Sequence, residues 1–236
     1  MKERVNLIIK PRFSKLKITG VAAATVAIGA TLMLSFGKGK SVPVPSYTAI
    51  RVFDGDTFET KEKQYIRLSG INTPEMGQCG SEEAKKELEK LILDKALYVK
   101  VLYHIGSRSM GLVYTDEGLV STAMLASGWA EMNDRENLDL QELKDATNQA
   151  RKKKVGIFSN LCTQETNPKN PSCSIKANVT TNGIPTYHFP GCQTYATTKL
   201  ELHHGDRWFC TEKEAVKAGF RKAKTCPNTG FPPTRE

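Results

Sequence analysis

Beyond residue 40 the chain lacks the charge excess that its composition advertises. The formal net charge is +9, yet residues 1–40 carry eight Lys/Arg against one Glu, and the remaining 196 residues hold 26 basic against 24 acidic. That near balance excludes a strongly basic face spread over the folded part, the usual source of non-specific attraction to phosphate backbones. Charge is missing altogether from Ile18 to Phe36, a run of 19 residues. As a helix this run spans roughly 28 Å, close to the thickness of a bilayer core. Lys2, Arg4, Lys10, Arg12, Lys15 and Lys17 precede it, which argues against a buried globular helix and keeps the amino end in the cytoplasm. No A-x-A motif follows. The expectation is therefore a cytoplasmic basic segment at 1–17 and a transmembrane anchor at 18–36, with the bulk of the chain extracytoplasmic. Cleavage near Ser35-Phe36-Gly37, giving a secreted protein, is the alternative.

A linker rich in Gly, Pro and Ser occupies 37–46. Short strands are predicted after it at Tyr47 to Phe53, Thr57 to Thr60, Tyr65 to Ile71, Leu97 to Tyr103 and Gly111 to Thr115. Each is rich in β-branched or aromatic residues and bounded by turn signals. Asp54-Gly55 sits where a tight turn joins the first two. Helical spacing recurs in Ala84, Leu88, Leu91 and Ile92, with Ser81 as the expected cap. A second helix is expected from Val120 to Ser127, ending at Gly128, and a third from about Leu138 to Lys154. Five strands with three helices, strands dominating early, fit a small mainly-β barrel with packed helices better than a βαβ array.

The chemistry concentrates between Ile50 and Glu75. Asp54, Asp56, Arg67 and Glu75 lie there between short apolar runs, a composition suited to metal-assisted phosphate chemistry. Taken singly, Asp-Gly-Asp reads as a hairpin turn and Arg67 as a barrel-edge ion pair; the ordered set carries more weight.

That set is Val52-Phe53-Asp54-Gly55-Asp56-Thr57, Ile66-Arg67-Leu68 and Asn72-Thr73-Pro74-Glu75. With Glu83-Ala84, Gly111-Leu112-Val113-Tyr114 and Gly156-Ile157-Phe158-Ser159 it resembles the staphylococcal nuclease (thermonuclease) family over 47–162. The resemblance implies an OB-fold five-stranded barrel and a calcium-dependent endonuclease acting on DNA and RNA. It implies calcium ligands at Asp56, Asn72 and the Thr73 carbonyl, a water-activating Glu75, and a phosphate-holding Arg67. Two positions depart from the pattern. Asn72 stands where the family usually has Asp, so one ligand loses its charge. Met110 stands where the family has a second arginine, and Arg108 is the nearest candidate to replace it. The tyrosines that the family places after the second helix have no counterparts in Met132 to Asn137.

A polar, proline-bearing linker is expected at 163–172. Residues 173–227 resemble the sunset domain appended to bacterial surface nucleases, a small Cys-containing α+β domain, and 228–236 form a tail. Residues 166–236 carry ten basic against five acidic residues, so this part is where electrostatic contact with an anionic partner is expected. Six cysteines in an exported chain suggest disulfides. Cys79 and Cys162 fall in one domain and form a natural pair. Cys173, Cys192, Cys210 and Cys226 are left to staple the small domain, and zinc held by those cysteines with His188 is the competing reading. Arg151 to Lys154 reads as a solvated helix end. His203-His204 reads as a wet surface pair with nothing opposite it. Two functions survive: a membrane-tethered nuclease, and a nuclease-derived module that binds nucleic acid or an envelope partner without cutting.

Overall fold

In the computed structural model of the protein the described residues are 47–136, 138, 140–179 and 184–231. The expected basic segment 1–17, membrane span 18–36 and linker 37–46 lie outside them, as do residues 232–236 of the tail. Among the described residues no helix is long and apolar enough to cross a membrane.

The first strands are β1 (Ala49–Val52), β2 (Thr57–Thr60), β3 (Tyr65–Leu68) and β4 (Ile71–Asn72). Helix α1 (Ser81–Ile92) follows, then β5 (Tyr98–Ile105), β6 (Arg108–Thr115), β7 (Gly118–Leu119) and α2 (Val120–Ser127). The domain closes with β8 (Glu131–Met132), a 3-10 turn at Asp134–Glu136 and α3 (Gln141–Lys153). Ala84, Leu88 and Ile92, four residues apart, put one buried stripe of α1 against the sheet. Its cap differs from expectation: Gly80, at φ 88, is the N-cap, and Ser81 is the first helical residue. The left-handed geometry that ends the preceding turn suits glycine and not serine.

Phe58, Ile66, Leu68 and Ile71 from the strands meet Leu88, Met124, Leu125 and Leu143 from the three helices in one fully buried core. The main sheet runs β1-β2-β3-β6-β5, with β7 paired to β6, so it has six strands. The expected five-stranded barrel is corrected here: the sheet curls, but its ends are not joined by a ladder. Among the described residues they meet at the isolated pair Tyr47 and Leu97, through N–H···O bonds of 3.2 and 3.1 Å, and Ala49 of β1 bridges Leu93 just after α1. Strand β1 has four residues and an irregular register between Ala49 and Arg51, too short a run to support a ladder along β5.

After a 3-10 turn at Gly156–Phe158 come β9 (Thr163–Gln164), β10 (Ile175–Asn178), β11 (Thr186–His188) and β12 (Leu200–Glu201). A 3-10 turn at Leu202–His204 leads to β13 (Arg207–Phe209), α4 (Glu212–Lys217) and β14 (Arg221–Lys222). The C-terminal sheet, β13-β10-β11-β14, packs a second core around Ile175, Ala177, Phe189, Ala215 and Phe220. Its four cysteines pair as Cys173–Cys210 and Cys192–Cys226, and Cys79 pairs with Cys162. Those bonds consume the thiolates a zinc site needs, and His188 Nδ1 meets Thr194 Oγ1 at 3.0 Å, so the zinc reading of Cys173, His188, Cys192, Cys210 and Cys226 is set aside.

The described residues, from Tyr47 to Phe231, fall in one compact unit. Part of the reason is a graft of C-terminal chain onto the first domain. Strand β12 pairs with β9, Leu202 N–H reaches Cys162 O at 2.8 Å, and Cys79 N–H reaches Leu202 O at 3.4 Å. The turn that carries His203 and His204 is thus bonded to both halves of the Cys79–Cys162 bridge.

Candidate active site

The β1–β2 turn sets the position of Asp56. Asp54 Oδ1 accepts the backbone N–H groups of Asp56 at 3.0 Å and Thr57 at 2.8 Å, closing an Asx turn. Between them Gly55 lies flush against two neighbours: a Cβ there would sit 2.6 Å from Ala84 Cβ and 2.8 Å from Thr73 Cβ and Oγ1. The missing side chain is what lets the Asp56 turn rest on Thr73. Leu68 N–H, on β3, donates to Asp56 O at 2.8 Å and ties the turn to the next strand.

Arg67 lies opposite Thr57 in the β2–β3 pair. Its Nη1 donates to Asp56 Oδ1 and its Nη2 donates to Asn72 Oδ1 at 3.3 Å. The structure therefore gathers Asp56, Arg67, Asn72 and Thr73 at one end of the sheet. Asp56 is only 1% exposed, and its carboxylate also accepts from Thr57 Oγ1 at 2.9 Å. Burial pushes its carboxyl up to about 7, against the pull of the Arg67 guanidinium and with a further upward push from Asp54. A carboxylate this desolvated holds its charge best beside a cation. Asp56 carboxylate, Asn72 amide oxygen and Thr73 carbonyl are all hard oxygen donors, the type that suits calcium. Arg67 shares the first two of those oxygens.

Glu75 is exposed, on the loop after β4, where its N–H donates to Gln78 Oε1 at 2.9 Å. It lines a cavity of ≈ 580 Å³ together with Asn72, Thr73, Arg135, His203 and His204. Arg108 is exposed and lies opposite Tyr65, whereas Met110, 4% exposed, lies opposite Arg67. Two residues along a strand is about 6.6 Å, so Arg108 lies one pleat away from the Arg67 register, on the same face. Arg135, on the 3-10 turn after β8, is the arginine among the described residues that line the cavity.

Three features of this region are not legible in sequence. Tyr103, exposed on β5, faces Met110 across the sheet. Partial burial, Glu136 and, in the opposite sense, Arg67 act on its hydroxyl, with a net upward push. Glu136 accepts from Gly70 N–H at 3.0 Å and Asn133 Nδ2 at 2.9 Å, holding the turn after β8 to the turn after β3. The third feature corrects the reading of His203-His204 as a wet surface pair. His203 is 2% exposed, and Glu131 Oε1 and Oε2 lie 3.6 Å from His203 Nε2 and 2.6 Å from His204 Nε2. The partner missing from the sequence is 73 residues away from His204. Burial raises the Glu131 carboxyl, but the two histidines outweigh it and hold the group well below the ordinary range. Glu131 and Glu201 push His204 up to about 10.

The domain thus sets a buried carboxylate, an arginine and an amide oxygen together at one end of a curled sheet. Residues 65–160 match the family described as staphylococcal nuclease homologue, so that segment is similar to a nuclease domain. No curated protein matches the chain.

Proposed function

We propose that the chain is a calcium-dependent nuclease that hydrolyses phosphodiester bonds of DNA or RNA, tethered to a membrane through 18–36 and working outside the cytoplasm. The observation that carries the reading is the convergence of Asp56, Arg67 and Asn72 beside Thr73, with Glu75 on the adjoining cavity. The three disulfides support an oxidising compartment.

Asp56, Asn72 and the Thr73 carbonyl would hold the calcium ion. When bound, the ion supplies positive charge against the phosphate oxygens as the five-coordinate phosphorus forms. Arg67 turns from its resting contacts with Asp56 and Asn72 to grip a non-bridging phosphate oxygen. Glu75, exposed and acceptor-competent, takes a proton from the attacking water. A P–O bond forms to that water as the bond to the leaving oxygen breaks, and solvent returns a proton to the leaving group. Arg135 is the structural candidate for a second phosphate contact, and Arg108 is the candidate from sequence. The segment 173–227, sunset-like in sequence and rich in basic residues, adds contact with the anionic strand.

A second reading is favoured by Met110 and Asn72, which remove one cation and one ligand charge from the site. In it the domain binds nucleic acid without cutting. The two separate when the full chain is incubated with single-stranded DNA or RNA in calcium, with and without chelator. Chelator-sensitive cleavage is expected. Retention of the strand without cleavage at every calcium concentration would establish the binding module.

A further inference from the structure

We propose that Glu131, His203 and His204 form a binding site for a divalent transition metal, zinc foremost, where the C-terminal turn meets the nuclease-type domain. The site is separate from the calcium ligands, and metal binding there does not depend on the chain being a nuclease.

One ligand atom from each of the three residues lies within 4.8 Å of the others, and the two contacts to Glu131 are 2.6 and 3.6 Å. Ligands about 2.0–2.2 Å from a tetrahedral zinc ion stand roughly 3.3 Å apart, so the cluster needs only small side-chain shifts to close on a metal. The independent sign is His203. Its ring is buried, yet neither Nδ1 nor Nε2 has a hydrogen-bond partner. Buried polar atoms are rarely left so, because an unmet donor or acceptor costs about 1–3 kcal/mol. A metal at Nε2, whose nearest protein acceptor is Glu131 Oε1 at 3.6 Å, answers that deficit at one of the two nitrogens.

The surroundings have the form of a metal site beyond its ligands. His204 offers Nε2 to the cluster and Nδ1 to Glu201 Oε2 at 3.3 Å, a carboxylate behind the imidazole that fixes ring orientation. The turn carrying both histidines is fixed by Asp206. Its Oδ2 accepts Glu201 N–H at 2.8 Å and Asn178 Nδ2 at 2.9 Å, and its Oδ1 accepts Val179 N–H at 2.7 Å. Glu131 is fixed from the other side, opposite Asn72 in the β4–β8 pair. Arg151 Nη2 shares Glu131 Oε1 at 3.3 Å and would keep one oxygen while the metal takes the other.

Two imidazole nitrogens and one carboxylate suit zinc or a neighbouring transition metal and suit calcium poorly. Three protein ligands leave a coordination position for water or a phosphate oxygen, and the cluster lines the cavity that Asn72, Thr73 and Glu75 share. A metal there clamps the C-terminal turn to β8 at the edge of the candidate active site.

The test uses the full-length protein with its disulfides intact, stripped by chelator and titrated with zinc, and separately with cobalt as a spectroscopic stand-in. Expected are one equivalent bound, visible d–d bands with cobalt, and no displacement by excess calcium. His203→Ala and Glu131→Gln each weaken zinc binding at least tenfold, and Glu201→Gln weakens it roughly tenfold. Melting curves of the metal-free variants identify any that fail to fold. X-ray absorption of zinc-loaded wild type needs no variant, and two imidazole ligands are expected. Binding no tighter than in the H203A/H204A double variant, displacement by calcium, or a spectrum without imidazole would each overturn the proposal.

Discussion

Gly55 and Asp56 work as a pair at the residue scale. The glycine's bare Cα allows the turn to touch Thr73, and the aspartate is thereby placed where Arg67 reaches it. Gly55→Ala inserts a methyl group into space already filled by Ala84 and Thr73. It is expected to cost about 1–3 kcal/mol in a denaturant melt and to lower calcium-dependent cleavage. The second phosphate contact is also decided here. Because Arg135 lines the cavity and Arg108 lies a pleat away from the Arg67 register, Arg135→Ala is expected to lower kcat/KM roughly 10²-fold. Arg108→Ala should cost less than that in the same steady-state assay; the reverse order would restore Arg108 as the replacement for the arginine missing at Met110. The proximity of Asp56, Arg67, Asn72 and Thr73 was legible because they occur in short local patterns joined by tight turns, and the roles proposed for them and for Glu75 come from the resemblance. The pairing of Glu131 with His204 was not legible, since no local pattern announces a partner 73 residues away.

Among the elements, amphipathic spacing located α1 through Ala84, Leu88 and Ile92, and runs of β-branched and aromatic residues between turn signals located the strands, because both are local properties. Closure of the sheet was not legible: it depends on whether β1 and β5 are long enough and in register to pair, a contact between distant segments. The same limit applied to β4 and β8, two residues each, whose pairing puts Asn72 opposite Glu131. In the C-terminal sheet Glu212 links three elements. It accepts from Tyr187 hydroxyl at 2.6 Å and Phe231 N–H at 2.5 Å, and pairs with Lys222 Nζ at 3.1 Å. Burial raises its carboxyl, but those donors outweigh it and leave the group below its usual 4.5. A lowered folded-state value stabilises the fold above the usual glutamate range, and that stability is lost as pH falls through the lowered value. Glu212→Gln is therefore expected to lower the Tm at pH 7, and its difference from wild type should shrink steadily on acidification below 4.5. A difference that does not change with pH would show that the charge contributes nothing.

For the whole molecule, the Cys79–Cys162 bridge closes a loop spanning 83 residues and sits beside the turn that carries His203 and His204. Replacing both cysteines by serine is expected to cost roughly 4.5 kcal/mol in a denaturant melt by the chain-entropy argument. Two cores inside one compact unit explain why composition divided the chain at 163–172 while its backbone reaches back across that division through β9 and β12. The proposed function requires this arrangement to cut phosphodiester bonds with calcium and a carboxylate base. The most direct measurement is the rate of single-stranded DNA cleavage at saturating calcium by the full chain and by Glu75→Gln, each with a chelator control. The expected result is chelator-sensitive cleavage that falls roughly 10²–10⁴-fold in the variant. Cleavage that survives chelation, or that is equal in the two proteins, would contradict it.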